Sequence, residues 1–77
     1  MRLDLFLKKS RIIKRRTVAA QMAKSERIKK DSRPLKPGYE IKTNDEIEIA
    51  FGNRVMRIKV TDAGNKPQYD IISEIKL

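Results

Sequence analysis

Six basic side chains fall within nine consecutive positions near the start of this chain: Lys8, Lys9, Arg11, Lys14, Arg15 and Arg16. The last three lie where the apolar spacing predicts a helix to begin. A helix N-terminus already carries about half a positive charge, and each cation added there costs up to ~1 kcal/mol. A helix built only for solubility would prefer acids in its first turn. A bound phosphate reverses the sign of that cost, because exposed backbone N–H groups, the helix dipole and the arginine forks all favour it. Departures from local rules concentrate at functional sites. The chemistry implied is the binding of a polyanion, against the plain alternative of a solvated charged face.

Arg27, Lys29, Lys30, Arg33 and Lys36 form a second basic set on a predicted hairpin. These could extend the same surface, although Lys and Arg on an edge strand also discourage aggregation. The whole chain repeats this asymmetry. Residues 1–36 hold 13 basic and 3 acidic residues, a net of +10, whereas residues 37–77 hold 6 and 7, a net of −1. Charge kept for solubility is usually interspersed, so the segregation points to a polyanionic partner.

Several chemistries lack the residues they need. Cysteine and histidine are absent, which removes disulfides, the commonest metal ligands and the commonest general base. No metal, cofactor or catalytic residue is expected, and no enzyme activity. Asp45, Glu46 and Glu48 could hold a cation but read as a turn acid and the solvent face of a strand. Gly38, Gly52 and Gly64 are too far apart for a phosphate-cradling loop. The aromatic residues are Phe6, Tyr39, Phe51 and Tyr69. Phe6 and Phe51 lie in apolar phase and are expected in the core. No strand offers paired exposed aromatics for stacking bases, so recognition by shape and phosphate is expected rather than reading of splayed bases. No apolar run approaches the roughly 18 residues of a membrane span, and a cytoplasmic location is expected.

Elements must position these groups, and 77 residues allow one domain. Leu3, Phe6 and Leu7 predict a helix over Leu3–Lys9, and Val18, Ala19, Met22 and Ala23 predict another over Lys14–Lys24. Ser10–Ile13 connects them. Extended segments Arg27–Lys30 and Arg33–Lys36 flank an Asp31-Ser32 turn. Ile47, Ile49 and Phe51 alternate along Glu46–Phe51. Gly52-Asn53 fits a two-residue hairpin turn into Arg54–Val60, whose inner set is Met56, Ile58 and Val60. A polar loop, Asp62–Gln68, leads to Tyr69–Leu77, with Tyr69, Ile71, Ile75 and Leu77 expected on one face. The fold class is α+β, with two N-terminal helices packed on a small antiparallel sheet.

Arg2-Leu3-Asp4, Phe6-Leu7-Lys8 and Lys14-Arg15-Arg16-Thr17, followed by Ala19, resemble the alpha-L RNA-binding motif, the S4 domain. Leu35-Lys36-Pro37, Ile41-Lys42 and Asp45-Glu46-Ile47 are similar to its later part. The motif core then covers about residues 1–51, with additional strands over 54–77. The resemblance is strongest to short free-standing members that serve ribosome-associated quality control. It implies binding to large-subunit ribosomal RNA beside peptidyl-tRNA, in support of an RqcH-like tailing factor that adds alanine to stalled nascent chains. It places Arg2, Lys8, Arg11, Arg15 and Arg16 on the RNA-facing side, with Asp4 orienting an arginine. A free monomer is expected. Glu26 stands where the family usually has glycine after the second helix, and Asp31-Ser32 where it has Asn-Gly. Both changes remove residues that accept positive φ cheaply, so a distorted hairpin is expected.

A helix-turn-helix-like DNA binder is the competing class. Base-reading helices offer Asn, Gln or Arg along one face beyond the first turn. Gln21 is the only Asn or Gln in the second predicted helix, and the arginines crowd its start. That pattern favours phosphate contact over base readout.

Overall fold

The computed structural model describes all 77 residues. Two helices, α1 (Leu3–Lys9) and α2 (Arg16–Lys24), precede five strands: β1 (Ile28–Lys30), β2 (Arg33–Pro34), β3 (Glu46–Ala50), β4 (Arg54–Asp62) and β5 (Gln68–Lys76). The strands form one antiparallel sheet in the order β2-β1-β3-β4-β5. Leu3, Phe6 and Leu7 of α1 and Ala19 and Ala23 of α2 meet Ile28, Ile47, Ile49, Met56, Ile58 and Val60 of the sheet in one apolar core. Burying a side chain of this size stabilises by about 1.5–3 kcal/mol.

Asp4 in the first turn of α1 and Lys8 and Lys9 in its last match the helix dipole. Helix α2 starts two residues later than the spacing predicts. Arg15 is still extended, with φ −123° and ψ 135°. The cause lies in the connection: Ile13 is buried and its N–H donates to the Leu7 carbonyl. The chain therefore wraps the end of α1 before it can coil again. Val18 is correspondingly exposed, and Ala19 and Ala23 carry the buried face.

The first hairpin is regular, contrary to expectation. Asp31 (φ 51°) and Ser32 (φ 66°) both adopt the left-handed conformation that a two-residue hairpin of the favoured hand requires. Glu26 (φ 61°) does the same after α2. None of the three glycines has positive φ, so this chain carries its left-handed positions on side-chain-bearing residues, at a conformational cost.

Two apolar expectations change in the C-terminal half. Phe6 is fully buried, but Phe51 is only partly so, with the Arg54 guanidinium 4.7 Å from its ring centre. In the β4–β5 pairing Arg57 lies opposite Ser73 and Ile58 opposite Ile71, leaving Ile72 as an extra residue. One inserted residue reverses the alternation beyond it. Tyr69 and Ile71 share the core-side face with Val60 and Ile58, while Ile75 pairs with Val55 on the opposite face and Leu77 follows it. The four do not share one face.

Candidate nucleic-acid interface

The N-terminal segment is fastened before it enters α1. Leu3 N–H donates to the Tyr39 carbonyl at 2.7 Å, Asp4 N–H to Pro37 at 3.2 Å, and Ile41 N–H to Met1 at 2.8 Å. This places Arg2 beside the start of α2. Asp4 is the hinge of the arrangement. Its side chain is buried, and it accepts from Arg2 Nε at 3.3 Å and Leu5 N–H at 2.8 Å. Arg16 Nε lies 3.4 Å from its second carboxylate oxygen. Burial pushes the Asp4 carboxyl up, but the Arg16 and Arg2 guanidinium groups and the Leu5 N–H outweigh it and hold the group below its ordinary value of 3.8. One carboxylate thus orients two arginines whose side chains remain 56% and 46% exposed.

Each guanidinium carries five N–H donors in a fixed fork, so donors remain free to face solvent. Gly38 lies beside the Arg2 guanidinium: a Cβ there would come within 3.8 Å of it, an ordinary van der Waals contact. Helix α2 begins without a side-chain cap and without an acid in its first turn. Its first backbone N–H groups therefore lack intrahelical partners. Two forks and an uncapped helix start form an anion-binding constellation.

The connection between the helices adds to it. Lys8, Lys9, Arg11 and Lys14 line one shallow depression with Ile12. Arg11 sits at φ 65°, and its N–H donates to the Lys8 carbonyl, closing the end of α1. A glycine usually fills such a place, and an arginine held there is a strained residue inside a charged surface, as functional sites often contain. Composition alone did not reveal it. Arg15 is exposed at the start of α2.

The first hairpin's basic residues are not gathered with these. Lys29 lies opposite Glu48 on the sheet face away from the helices. Lys30 is occupied: its ammonium donates to Asp45 at 2.8 Å and to Tyr39 Oη at 3.3 Å. Asp45 also accepts from Tyr39 Oη at 3.1 Å and Lys42 N–H at 2.9 Å. Asp45 and, secondarily, Tyr39 hold Lys30 well above the usual ammonium range. Burial raises Asp45, but Lys30, the Lys42 N–H and Tyr39 hold it below 3.8. Lys30 locks the hairpin to the following loop and has little left to offer a phosphate. Arg33 stays exposed on β2, the outermost strand at one end of the sheet. Asp45, expected as a turn acid, does accept the Lys42 N–H of its turn, but it is also a buried anchor for Lys30 and Tyr39. Only its Asx-like position before β3 hinted at this.

No group of three or more Asp and Glu side chains is gathered in a way that would hold a metal ion. No helix is long and apolar enough to cross a membrane.

A compact pair of helices on an antiparallel sheet, with its cations gathered at the helix junction, defines a class that comparison with known proteins makes explicit. The family model described as S4 domain matches residues 1–47, and the chain belongs to the S4 domain family. It is 43% identical to the RQC P-site tRNA stabilizing factor of Streptococcus pneumoniae, over all of this chain and 96% of that one. The protein of the same name from Bacillus subtilis is 38% identical, over all of this chain and 98% of that one. Among solved structures, the trimeric Heat Shock Protein 15 of Vibrio cholerae superposes with a TM-score of 0.84 over 95% of this chain and 82% of that one. At 18% identity, that likeness establishes the fold.

Proposed function

We propose that this chain is a non-enzymatic RNA-binding protein of ribosome-associated quality control. It binds large-subunit ribosomal RNA beside a peptidyl-tRNA and so supports alanine tailing of a stalled nascent chain by a separate tailing factor. The observation that carries this reading is the pair of guanidinium groups, Arg2 and Arg16, held on buried Asp4 at an uncapped helix start. The names of its relatives supply the ribosomal setting: they are factors that stabilise P-site tRNA. Phosphates of a folded RNA fit the site, since it offers preset forks and depressions but no aromatic platform.

Arg2 and Arg16 make the central contact, Arg15 extends it, and Lys8, Lys9, Arg11 and Lys14 flank it. Asp4 positions the arginines. Lys29 and Arg33 are peripheral, and Lys30 acts through the hairpin it fastens. The test is co-sedimentation with isolated large ribosomal subunits, with and without bound peptidyl-tRNA, competed by duplex DNA. Retention that peptidyl-tRNA strengthens and DNA does not displace is the expected result. Equal displacement by DNA would return the helix-turn-helix reading.

A further inference from the structure

The sheet is open at β5. The hairpin β1–β2 closes the other end with Arg33 and Pro34 on its outermost strand, both of which discourage further pairing. Strand β5 has no proline, and beyond its one extra residue at Ile72 its only charges are Glu74 and Lys76, of opposite sign. It is nine residues long, its outer edge is unpaired, and Ile71, Ile72, Ile75 and Leu77 are 55%, 48%, 60% and 82% exposed. Long apolar edges of this kind invite another strand.

The backbone states which residues would meet it. Leu77 N–H donates inward to Asn53, and antiparallel pairing alternates direction along a strand. Residues 75 and 77 therefore turn their hydrogen-bonding groups toward β4, and Glu74 and Lys76 turn theirs outward. Two copies related by a two-fold axis can then pair around Glu74, Ile75 or Lys76. Centring on Glu74 sets it against itself, and centring on Lys76 does the same with two ammonium groups. Centring on Ile75 sets Glu74 opposite Lys76 twice, with Ile75 against Ile75 between them. It also joins Ala50, Val55 and Ile75, which lie side by side on one sheet face, to the same three residues of the second copy. The result is one apolar row across the interface.

We infer that the free edge of β5 pairs antiparallel with β5 of a second copy of this chain, centred on Ile75, giving a symmetric dimer through a continuous sheet. The expectation of a free monomer gives way to this. The net charge of +9 does not prevent it, because 13 of the 19 basic residues lie in residues 1–36 and the β1–β2 hairpin sits at the opposite edge of the sheet. Exposed charges farther apart than about 8 Å are largely screened at physiological salt. Strand β5 itself carries Asp70, Glu74 and Lys76, so it repels its twin weakly.

The register makes an unusual test possible. Glu74→Lys places like charges in both cross-strand pairs of its own dimer, and so does Lys76→Glu. Mixed together, the two lysines of the first chain face the two glutamates of the second. By sedimentation equilibrium the wild type is expected to rise from 9.0 kDa toward twice that mass with concentration. Each variant alone is expected to stay at the monomer mass, and their equimolar mixture to dimerise. Melting curves check folding, and Lys76→Glu keeps the Arg54–Glu74 ion pair. A wild type that remains at 9.0 kDa at its highest soluble concentration overturns the inference and leaves the edge to a strand of another protein. Variants that still self-associate, or a mixture that does not associate, overturn the assigned register.

Discussion

Replacing Arg16 with alanine separates binding from stability more cleanly than any other change in this chain. In the free protein Arg16 contributes one contact, Nε to Asp4 at 3.4 Å, from a side chain 46% exposed. A pair this wet contributes about 0–1 kcal/mol. Asp4 keeps Arg2 and the Leu5 N–H after the loss, so its carboxylate is not orphaned. Removing a cation from the first turn of α2 returns roughly 0.3–1 kcal/mol from the helix dipole. The two effects oppose, and the melting temperature is expected to move little. Bound to RNA, the same guanidinium makes charge-assisted bonds to phosphate worth about 1.5–3 kcal/mol, which is roughly a 10- to 150-fold loss of affinity. Arg16→Lys recovers only part, because an ammonium cannot form two parallel bonds and hold Asp4 together. The assay is large-subunit affinity by co-sedimentation beside a thermal melt. Unchanged affinity with an unchanged melt would refute the placement of RNA at this junction. A collapsed melt would make Arg16 a structural partner of Asp4 instead.

Other consequences follow from the same geometry. Arg11→Gly relieves a left-handed residue and is expected to stabilise by about 1 kcal/mol, raising the melting temperature by ~4–8 °C, while weakening RNA binding; a lowered melting temperature would contradict the strain. If about five phosphates are neutralised, affinity falls roughly a hundredfold or more between 50 and 200 mM salt, and a flat salt response in a binding titration would exclude the electrostatic clamp. Asp4 and Asp45 are both held below their ordinary 3.8 when folded, so the unfolded chain takes up protons first as the solution is acidified. The stability they contribute is fully present above about pH 5 and is lost as pH falls through the folded values. Melting temperature against pH should therefore fall below about pH 4, and the double variant Asp4→Asn with Asp45→Asn should reduce that fall; an unaltered profile would mean other carboxylates carry it.

Much of the architecture is written in local spacing. The apolar period of Leu3, Phe6 and Leu7 specifies α1, and the alternation of Ile47 and Ile49 and of Met56, Ile58 and Val60 specifies the central strands, because those side chains have one face to bury and one period that buries it. The charge segregation is equally legible, since charge needs no fold to be counted. What composition could not supply is who meets whom. That Asp4 holds Arg2 and Arg16 together depends on segment 37–41 pairing with the N-terminus, a contact between residues far apart in the chain. That Lys30 is consumed by Asp45 and Tyr39, while Lys8, Arg11 and Lys14 stay open, depends on where the loop before β3 packs. Arg11, Glu26, Asp31 and Ser32 carry positive φ although glycine was available to evolution at each, so reading left-handed turns from glycine fails here. Finally, one extra residue at Ile72 reverses the faces of β5. Alternation is a local rule, but its phase is set by hydrogen bonds to the neighbouring strand, and only the paired sheet decides which side Ile75 shows.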